Sequence, residues 1–305
     1  MSKVYDILII GGGPAGYTAA LYGARSGFAT AVLEKLSPGG QMATTSDVEN
    51  YPGFPGVVDG FELGERMQEG AEKAGAETFF AEVSKVDLLA DPKVVETSEG
   101  TFLGRTVILA TGAHPRKLGI PQEEALVNRG VAYCATCDGN FYKEKVVVVN
   151  GGGNTAVGDA LYLAKLASKV YLVHRRDTLR ATPIYLQRLK DAGVEIIWNS
   201  VVSGLQADKK LTGVELTDVK TGEKRVLPAD GLFVAIGQLP ESSLAAGQVA
   251  TDKAGYILAG EDTKTSVPGV FAVGDVRTKA VRQIITAAAD GAVAVHYAEE
   301  YLNEK

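Results

Sequence analysis

Two stretches of the chain share one succession of apolar and small residues. Ile7-Leu8-Ile9-Ile10 has no polar face and runs into Gly11-Gly12-Gly13-Pro14-Ala15-Gly16, and Val146 to Asn150 runs into Gly151-Gly152-Gly153-Asn154-Thr155-Ala156. A short apolar run without alternation suits a strand buried on both faces of a parallel sheet. Each stretch therefore predicts a strand that turns through glycines into a helix, the first helix starting near Pro14. The match continues in register, with Ala20-Leu21-Tyr22 answered by Ala160-Leu161-Tyr162.

A single G-x-G-x-x-G run is weak evidence, because any tight strand-to-helix turn favours glycine. Two copies in register point to dinucleotide sites. There the first glycine, Gly11 or Gly151, makes the turn, and the second, Gly13 or Gly153, lets the backbone approach a pyrophosphate. The third position, Gly16 or Ala156, lets helix and strand pack closely, while the helix N-terminus faces the phosphates. Pro14 and Ala15 in the first copy, and Asn154 and Thr155 in the second, open those helices and join the candidate contacts. The fold class predicted is α/β with two Rossmann-like dinucleotide-binding domains.

The residue about 20 positions beyond the third glycine reads the ribose. In the first copy the strand Thr30 to Leu33 ends at Glu34, whose carboxylate can accept hydrogen bonds from ribose hydroxyls, which suits FAD or NAD. In the second copy the strand Val170 to Val173 ends at His174, followed by Arg175, Arg176 and, nearby, Arg180. Away from a glycine fingerprint this would read as a solvated strand end. Here the guanidinium groups stand where a 2′-phosphate would bind, so the second site is expected to take NADP(H).

The segment after the second nucleotide motif returns to the first domain. Val107 to Ala110 closes part of the first unit at Ala110-Thr111-Gly112, further candidate cofactor contacts, and Gly231 to Ile236 closes the second in the same way. Val270 to Asp275 predicts another buried strand, ending in an acid, followed by an Ala-rich helix from about Val281 to Tyr301. The expected layout is 1–115 and 247–305 as one domain, with 116–246 inserted and the chain crossing near His114 to Lys117 and Ala245 to Gln248.

Composition narrows the partners. With 46% apolar and 22% charged residues the 305-residue chain can bury a sizeable core. Thirty-one Lys+Arg against 37 Asp+Glu leave a net charge of −6 and no basic run suited to a phosphate backbone, so no nucleic-acid partner is expected. Four apolar residues near the N-terminus are too few for a signal core or a membrane span, and the expected location is cytoplasmic.

The two cysteines, Cys134 and Cys137, close far too short a loop to staple a domain. A C-x-x-C pair can be half a zinc site, a structural bridge or a redox dithiol. The three histidines, His114, His174 and His296, do not stand at ligand spacing from the pair, so no metal is expected, and structural bridges are rare in the cytosol. Redox chemistry is the reading that remains. Asp138 follows the pair and could exchange protons with a thiol, although Asp138-Gly139 also reads as an ordinary turn.

Taken in order, the glycine run 11–16, Gly39-Gly40-Gln41, Glu49-Asn50-Tyr51-Pro52-Gly53, Cys134-Ala135-Thr136-Cys137-Asp138-Gly139, the run 151–156, His174-Arg175-Arg176, and Gly274-Asp275 with Arg282-Gln283 resemble the small thioredoxin reductases, class II of the FAD/NADPH pyridine nucleotide-disulfide oxidoreductases. The resemblance covers nearly the whole chain. It implies NADPH-dependent reduction of oxidised thioredoxin through bound FAD and a Cys134–Cys137 disulfide, in a homodimer. It also implies FAD contacts at Glu34, Gly40, Gln41, Asn50, Gly274, Asp275, Arg282 and Gln283, with Asp275 near the ribitol-phosphate part. Cys137 becomes the thiol nearer the flavin, Cys134 the one that attacks thioredoxin, and Asp138 an acid-base group. Asn150 and Gly158-Asp159 depart from the family pattern near the NADPH pocket. An electron-transfer flavoprotein or a nucleotide-sensing module would leave the dithiol without a purpose, and the reductase of a peroxide-scavenging system would carry an extra N-terminal dithiol domain.

Overall fold

A computed structural model describes residues 3–45, 47–179 and 183–304, and the chain divides into two compact units, 1–114 with 239–305, and 115–238. The first unit opens with β1 (Val4–Ile10), α1 (Pro14–Arg25), β2 (Thr30–Glu34), α2 (Gly60–Lys73), β3 (Glu77–Phe80), β4 (Val83–Asp87), β5 (Lys93–Thr97) and β6 (Gly100–Leu109). β3, β2, β1 and β6 lie side by side and parallel, while β5 and β4 continue the sheet antiparallel. Ile7, Leu8 and Ile9 are wholly buried, as their unbroken apolar run requires, each burial contributing about 1.5–3 kcal/mol. In register, Ile10 pairs with both Leu33 and Leu109, so Gly11, Glu34 and Ala110 all emerge from one edge of the sheet. Ligands bind at that edge in open α/β sheets.

The chain passes through β7 (Ala113–Pro115) into the second unit, which comprises β8 (Val131–Ala132), α3 (Ala135–Asp138), β9 (Val146–Gly151), α4 (Asn154–Leu163), β10 (Lys169–Val173), α5 (Pro183–Asp191), β11 (Glu195–Ile197), β12 (Ser200–Ala207), β13 (Leu211–Asp218), β14 (Lys224–Pro228) and β15 (Gly231–Ala235). A parallel sheet in the order β11-β10-β9-β15-β8 forms its centre, and β12-β13-β14 make a separate antiparallel sheet. The glycine loop after β9, His174 after β10 and the cysteines after β8 share one edge.

The chain returns through β16 (Gln238–Pro240), and β17 (Val270–Ala272) joins β6 in parallel before α6 (Ile284–Asn303). The return lies at 238/239, earlier than the 245–248 read from the sequence. The reason is packing: Leu244, Ala245 and Val249 enter the same core as Leu8, Val86 and Leu88, and the Gln248 side chain bonds the Leu88 N–H and the Val86 carbonyl. β17 stops at Ala272, short of the acid, because Gly274 turns the chain with φ +70°. α6 starts at Ile284 and not near Val281, because Gln283 and Thr286 form a reciprocal cap at its first turn. Among the described residues no helix is long and apolar enough to cross a membrane.

Candidate active site

In the first unit the glycines bring the backbone close to the start of α1 and leave that start open. Gly11 adopts φ +107°, and a Cβ there would lie 2.4 Å from the Ala110 carbonyl oxygen; a Cβ on Gly16 would lie 1.9 Å from the oxygen of Gly11. Backbone contact therefore excludes side chains at both. At Gly13 a Cβ would meet nothing within 4 Å, so this position is open on the outside. Gly13 is the N-cap of α1, supplies no side-chain cap, and no acid follows in the first turn. The N-terminus of α2 is different: Asp59 accepts from the N–H groups of Phe61 and Glu62, leaving that end satisfied. The free donors at α1 suit a pyrophosphate.

Around this opening stand most of the residues singled out from sequence. Glu34 accepts from Gly12 N–H at 2.6 Å and from Leu36 N–H at 3.0 Å, one bond on each oxygen, which leaves a lone pair on each for a ribose. The Gly39 N–H donates to the Gly12 carbonyl at 2.8 Å, which lays Gly39-Gly40-Gln41 along the loop. Thr111 donates its hydroxyl to the Glu241 carbonyl, while Gly112, at φ +75°, leaves open space. Asn50 donates to the side-chain oxygen of Gln283 at 3.0 Å, so these two, 233 residues apart, meet at the start of α6. The guanidinium of Arg282 lies 4.2 Å over the ring of Tyr256, and its Nε is buried without a hydrogen-bond partner.

Asp275 is the most informative of them. A Cβ on Gly274 would lie 3.2 Å from that of Ala15, so the Gly274-Asp275 turn sits against the first turn of α1. Oδ1 of Asp275 is buried without a hydrogen-bond partner among the described residues, an arrangement that costs free energy unless a ligand hydroxyl supplies one. Burial pushes its pKa up, against the pull of Lys279 and Arg282. The opening at Gly13, the two acceptors on Glu34 and this orphaned carboxylate oxygen together fit a dinucleotide with a hydroxylated chain, which FAD is.

The second unit repeats the opening. Gly153 caps α4 without a side-chain bond, no acid lies in the first turn, and a Cβ at Gly153 meets nothing within 4 Å. Asn154 and Thr155 are exposed at this end. His174 is buried: its Nε2 lies 3.0 Å from the Thr178 carbonyl oxygen, and a Cβ on Gly152 would fall 2.1 Å from its Nδ1. The ring thus spaces the glycine loop from the loop that follows β10, and burial lowers its pKa. Arg175 and Arg176 are exposed and form no salt bridge among the described residues. Arg180 lies outside the described residues. Asn150 is buried in β9 between Val173 and Val234.

Cys134 and Cys137 form a disulfide across the first turn of α3. Cys134 is the N-cap, and its Sγ accepts the Cys137 N–H at 3.2 Å and lies 3.4 Å from the Thr136 hydroxyl. These neighbours would stabilise a Cys134 thiolate after reduction. Asp138 ends the same helix, half-buried, and burial pushes its pKa up to about 6. Tyr133, just before the pair, donates to Glu123, whose carboxylate also accepts from Leu118 and Gly119 N–H. That carboxylate ties the entry segment of the unit to the residue preceding the disulfide.

Sequence reasoning passed over Glu123 and also a buried cluster beside Asp275, in which Asp290 of α6 pairs with Arg277 and Lys279. The available signal was an acid within the apolar stripe formed by Ala287, Gly291, Ala294 and Ala298.

The sequence pattern of the pyridine nucleotide-disulphide oxidoreductases matches residues 5–291. The chain is 45% identical over 304 residues to the thioredoxin reductase of Listeria monocytogenes, covering 99% of this chain and 95% of that one. It is 47% identical over 306 residues to that of Streptomyces clavuligerus, covering 99% and 95%. The thioredoxin reductase of Streptococcus pyogenes superposes with a TM-score of 0.91 at 43% identity, covering all of both chains. On this pattern, identity and coverage, the chain belongs to the pyridine nucleotide-disulphide oxidoreductase family and, within it, to the thioredoxin reductases.

Proposed function

We propose that the chain reduces oxidised thioredoxin with electrons from NADPH, using bound FAD and the Cys134–Cys137 disulfide. The observation that carries this reading is the disulfide at the N-cap of α3, in the same unit as an anion-ready glycine loop flanked by Arg175 and Arg176. Gly11, Gly13, Pro14, Ala15, Gly16, Glu34, Asp275 and the residues around them would hold FAD in the first unit, and Gly153 to Thr155 with Arg175 and Arg176 would hold NADPH in the second. When bound, FAD would supply the two-electron chemistry that links NADPH to the disulfide.

The chain's own residues then carry out thiol exchange. The Cys134 thiolate, held by the Cys137 N–H, attacks one sulfur of the substrate disulfide, and the other sulfur leaves as a thiol once it gains a proton. Asp138, with its pKa near 6, can supply that proton close to neutral pH. Cys137 then attacks Sγ of Cys134, which restores the internal disulfide and releases the second substrate thiol. The disulfide and the NADPH motif share one unit while the flavin motif lies on the other, so we also propose that rotation about the two crossings presents each in turn. A homodimer and a cytoplasmic location belong to the same reading. Purification of the full chain should give a yellow protein that turns over NADPH continuously when thioredoxin disulfide is present and stops after stoichiometric reduction of its flavin and disulfide when it is absent. A colourless protein that cannot be reconstituted with FAD refutes the assignment.

A further inference from the structure

Asp290 lies on α6 beside Gly291, where a Cβ would fall 2.2 Å from the carbonyl oxygen of Ala15 in α1, so its backbone is at the closest approach of the two helices. Its Oδ2 accepts three bonds: Gly274 N–H at 2.9 Å, Arg277 Nε at 2.8 Å and Lys279 Nζ at 2.8 Å; Oδ1 accepts Arg277 Nη2 at 2.7 Å. Arg277 also donates to the Ala259 and Thr278 carbonyls, and Lys279 to that of Thr286. All three side chains are at most 9% exposed. Burial, which would raise the Asp290 pKa, is outweighed by the bonds from Arg277 and Lys279, so Asp290 stays ionised and the cluster carries one surplus positive charge.

A surplus charge is costly in a core unless something opposite faces it. Asp275, whose Oδ1 has no partner among the described residues, lies within electrostatic reach of Lys279. We propose that Asp290, Arg277 and Lys279 are positioning residues of the flavin site, Asp290 fixing the Gly274-Asp275 turn against α1 through the Gly274 N–H and Lys279 supplying a positive charge that acts on Asp275. This rests on FAD binding as proposed above. The charged groups around Asp275 are Lys279, Arg282 and Asp290. Lys279 opposes the upward pull of burial on the Asp275 carboxyl, and in its ionised form that carboxylate would accept from the FAD hydroxyls. Without Lys279, burial is opposed by Arg282 alone, and Asp275 takes up a proton at higher pH.

The test measures FAD release from the full-length protein by the fluorescence of free flavin between pH 6 and pH 9, for wild type, Lys279→Gln and Lys279→Arg. The wild type should hold FAD equally across this range. Lys279→Gln should bind about tenfold more weakly at pH 6, because burial then raises the Asp275 carboxyl with one opposing charge fewer and a protonated carboxyl is the weaker acceptor, and should regain most of the loss by pH 9. Lys279→Arg should restore the flat profile, and Asp275→Asn should be weak at every pH. A Lys279→Gln loss that is absent, or equal at all pH values, overturns the proposal by reducing Lys279 to a packing role. Should Lys279→Gln fail to fold, the wild-type profile decides: affinity that already falls between pH 8 and pH 6 also overturns it. Failure of the wild type to bind FAD at any pH instead sinks the functional reading on which the proposal stands.

Discussion

Replacing Asp138 by Asn should stabilise the protein while impairing it, and the structure sets the size and pH range of the gain. Asp138 carries a pKa of about 6 against an ordinary value of 3.8, and the cause is burial at the end of α3. A folded-state pKa above the unfolded one means that folding favours the protonated form. The native state therefore suffers no penalty below about pH 4, acquires one as pH rises from about 4 to about 6, and bears it in full above that. A pKa raised by about 2 corresponds to about 3 kcal/mol, which solvent screening of a half-buried group reduces to about 1–3 kcal/mol. Asn has the same shape and no charge to desolvate, so Asp138→Asn should unfold at higher urea than wild type at pH 7.5, with a gain only about a third as large at pH 4.5. The same variant lacks the proton donor, and its thioredoxin reduction should slow by about 10²–10⁴-fold, while reduction of its flavin by NADPH is unaffected. Equal stabilities at pH 7.5, or a stability difference that is the same at both pH values, would refute the argument that burial sets the Asp138 pKa. Unimpaired turnover with raised stability would leave the burial argument standing and remove Asp138 from the chemistry.

Three further outcomes follow from the same geometry. Arg175→Ala with Arg176→Ala should raise the KM for NADPH about a hundredfold or more, two charge-assisted bonds at about 1.5–3 kcal/mol each, and leave NADH nearly unchanged; equal losses with both cofactors would mean that these arginines do not read the phosphate. Cys134→Ser should abolish thioredoxin reduction but not flavin reduction by NADPH, as separated by stopped flow, and retained turnover would contradict the dithiol route. Gly13→Ala has room for its methyl and should keep stability within about 1 kcal/mol while losing FAD, whereas Gly16→Ala must displace the Gly11 carbonyl and should destabilise by about 1–3 kcal/mol; similar melting temperatures for the two variants would contradict the packing at this loop.

Much of the candidate site was legible because its parts are local in the chain. A strand, a glycine turn and a helix N-terminus occupy about a dozen consecutive residues, and the physical demand that each glycine answers is made by its immediate neighbours. Gly16 meets Gly11, and Glu34 reaches back to Gly12 across one strand pair. The C-x-x-C pair is equally self-contained, since three residues of helix bring the sulfurs into bonding distance. His174 shows the limit of such reading. Its place after β10 marks the ribose end of the motif, but the space beneath Gly152, which only folding creates, draws the ring inward.

What the chain order by itself determined, then, is the pair of dinucleotide-type units, the edge of each sheet where the glycine loop opens, and the disulfide. Tertiary structure alone decided where the second crossing falls, because Leu244, Ala245 and Val249 follow whichever core has room for them. It decided that Asp290 serves the turn at Gly274, through the approach of α6 to α1 at Gly291. It also decided the proton affinities of Asp138 and Asp275, because desolvation is a sum over neighbours distant in sequence, and no local pattern records which of them will exclude water from a given carboxylate.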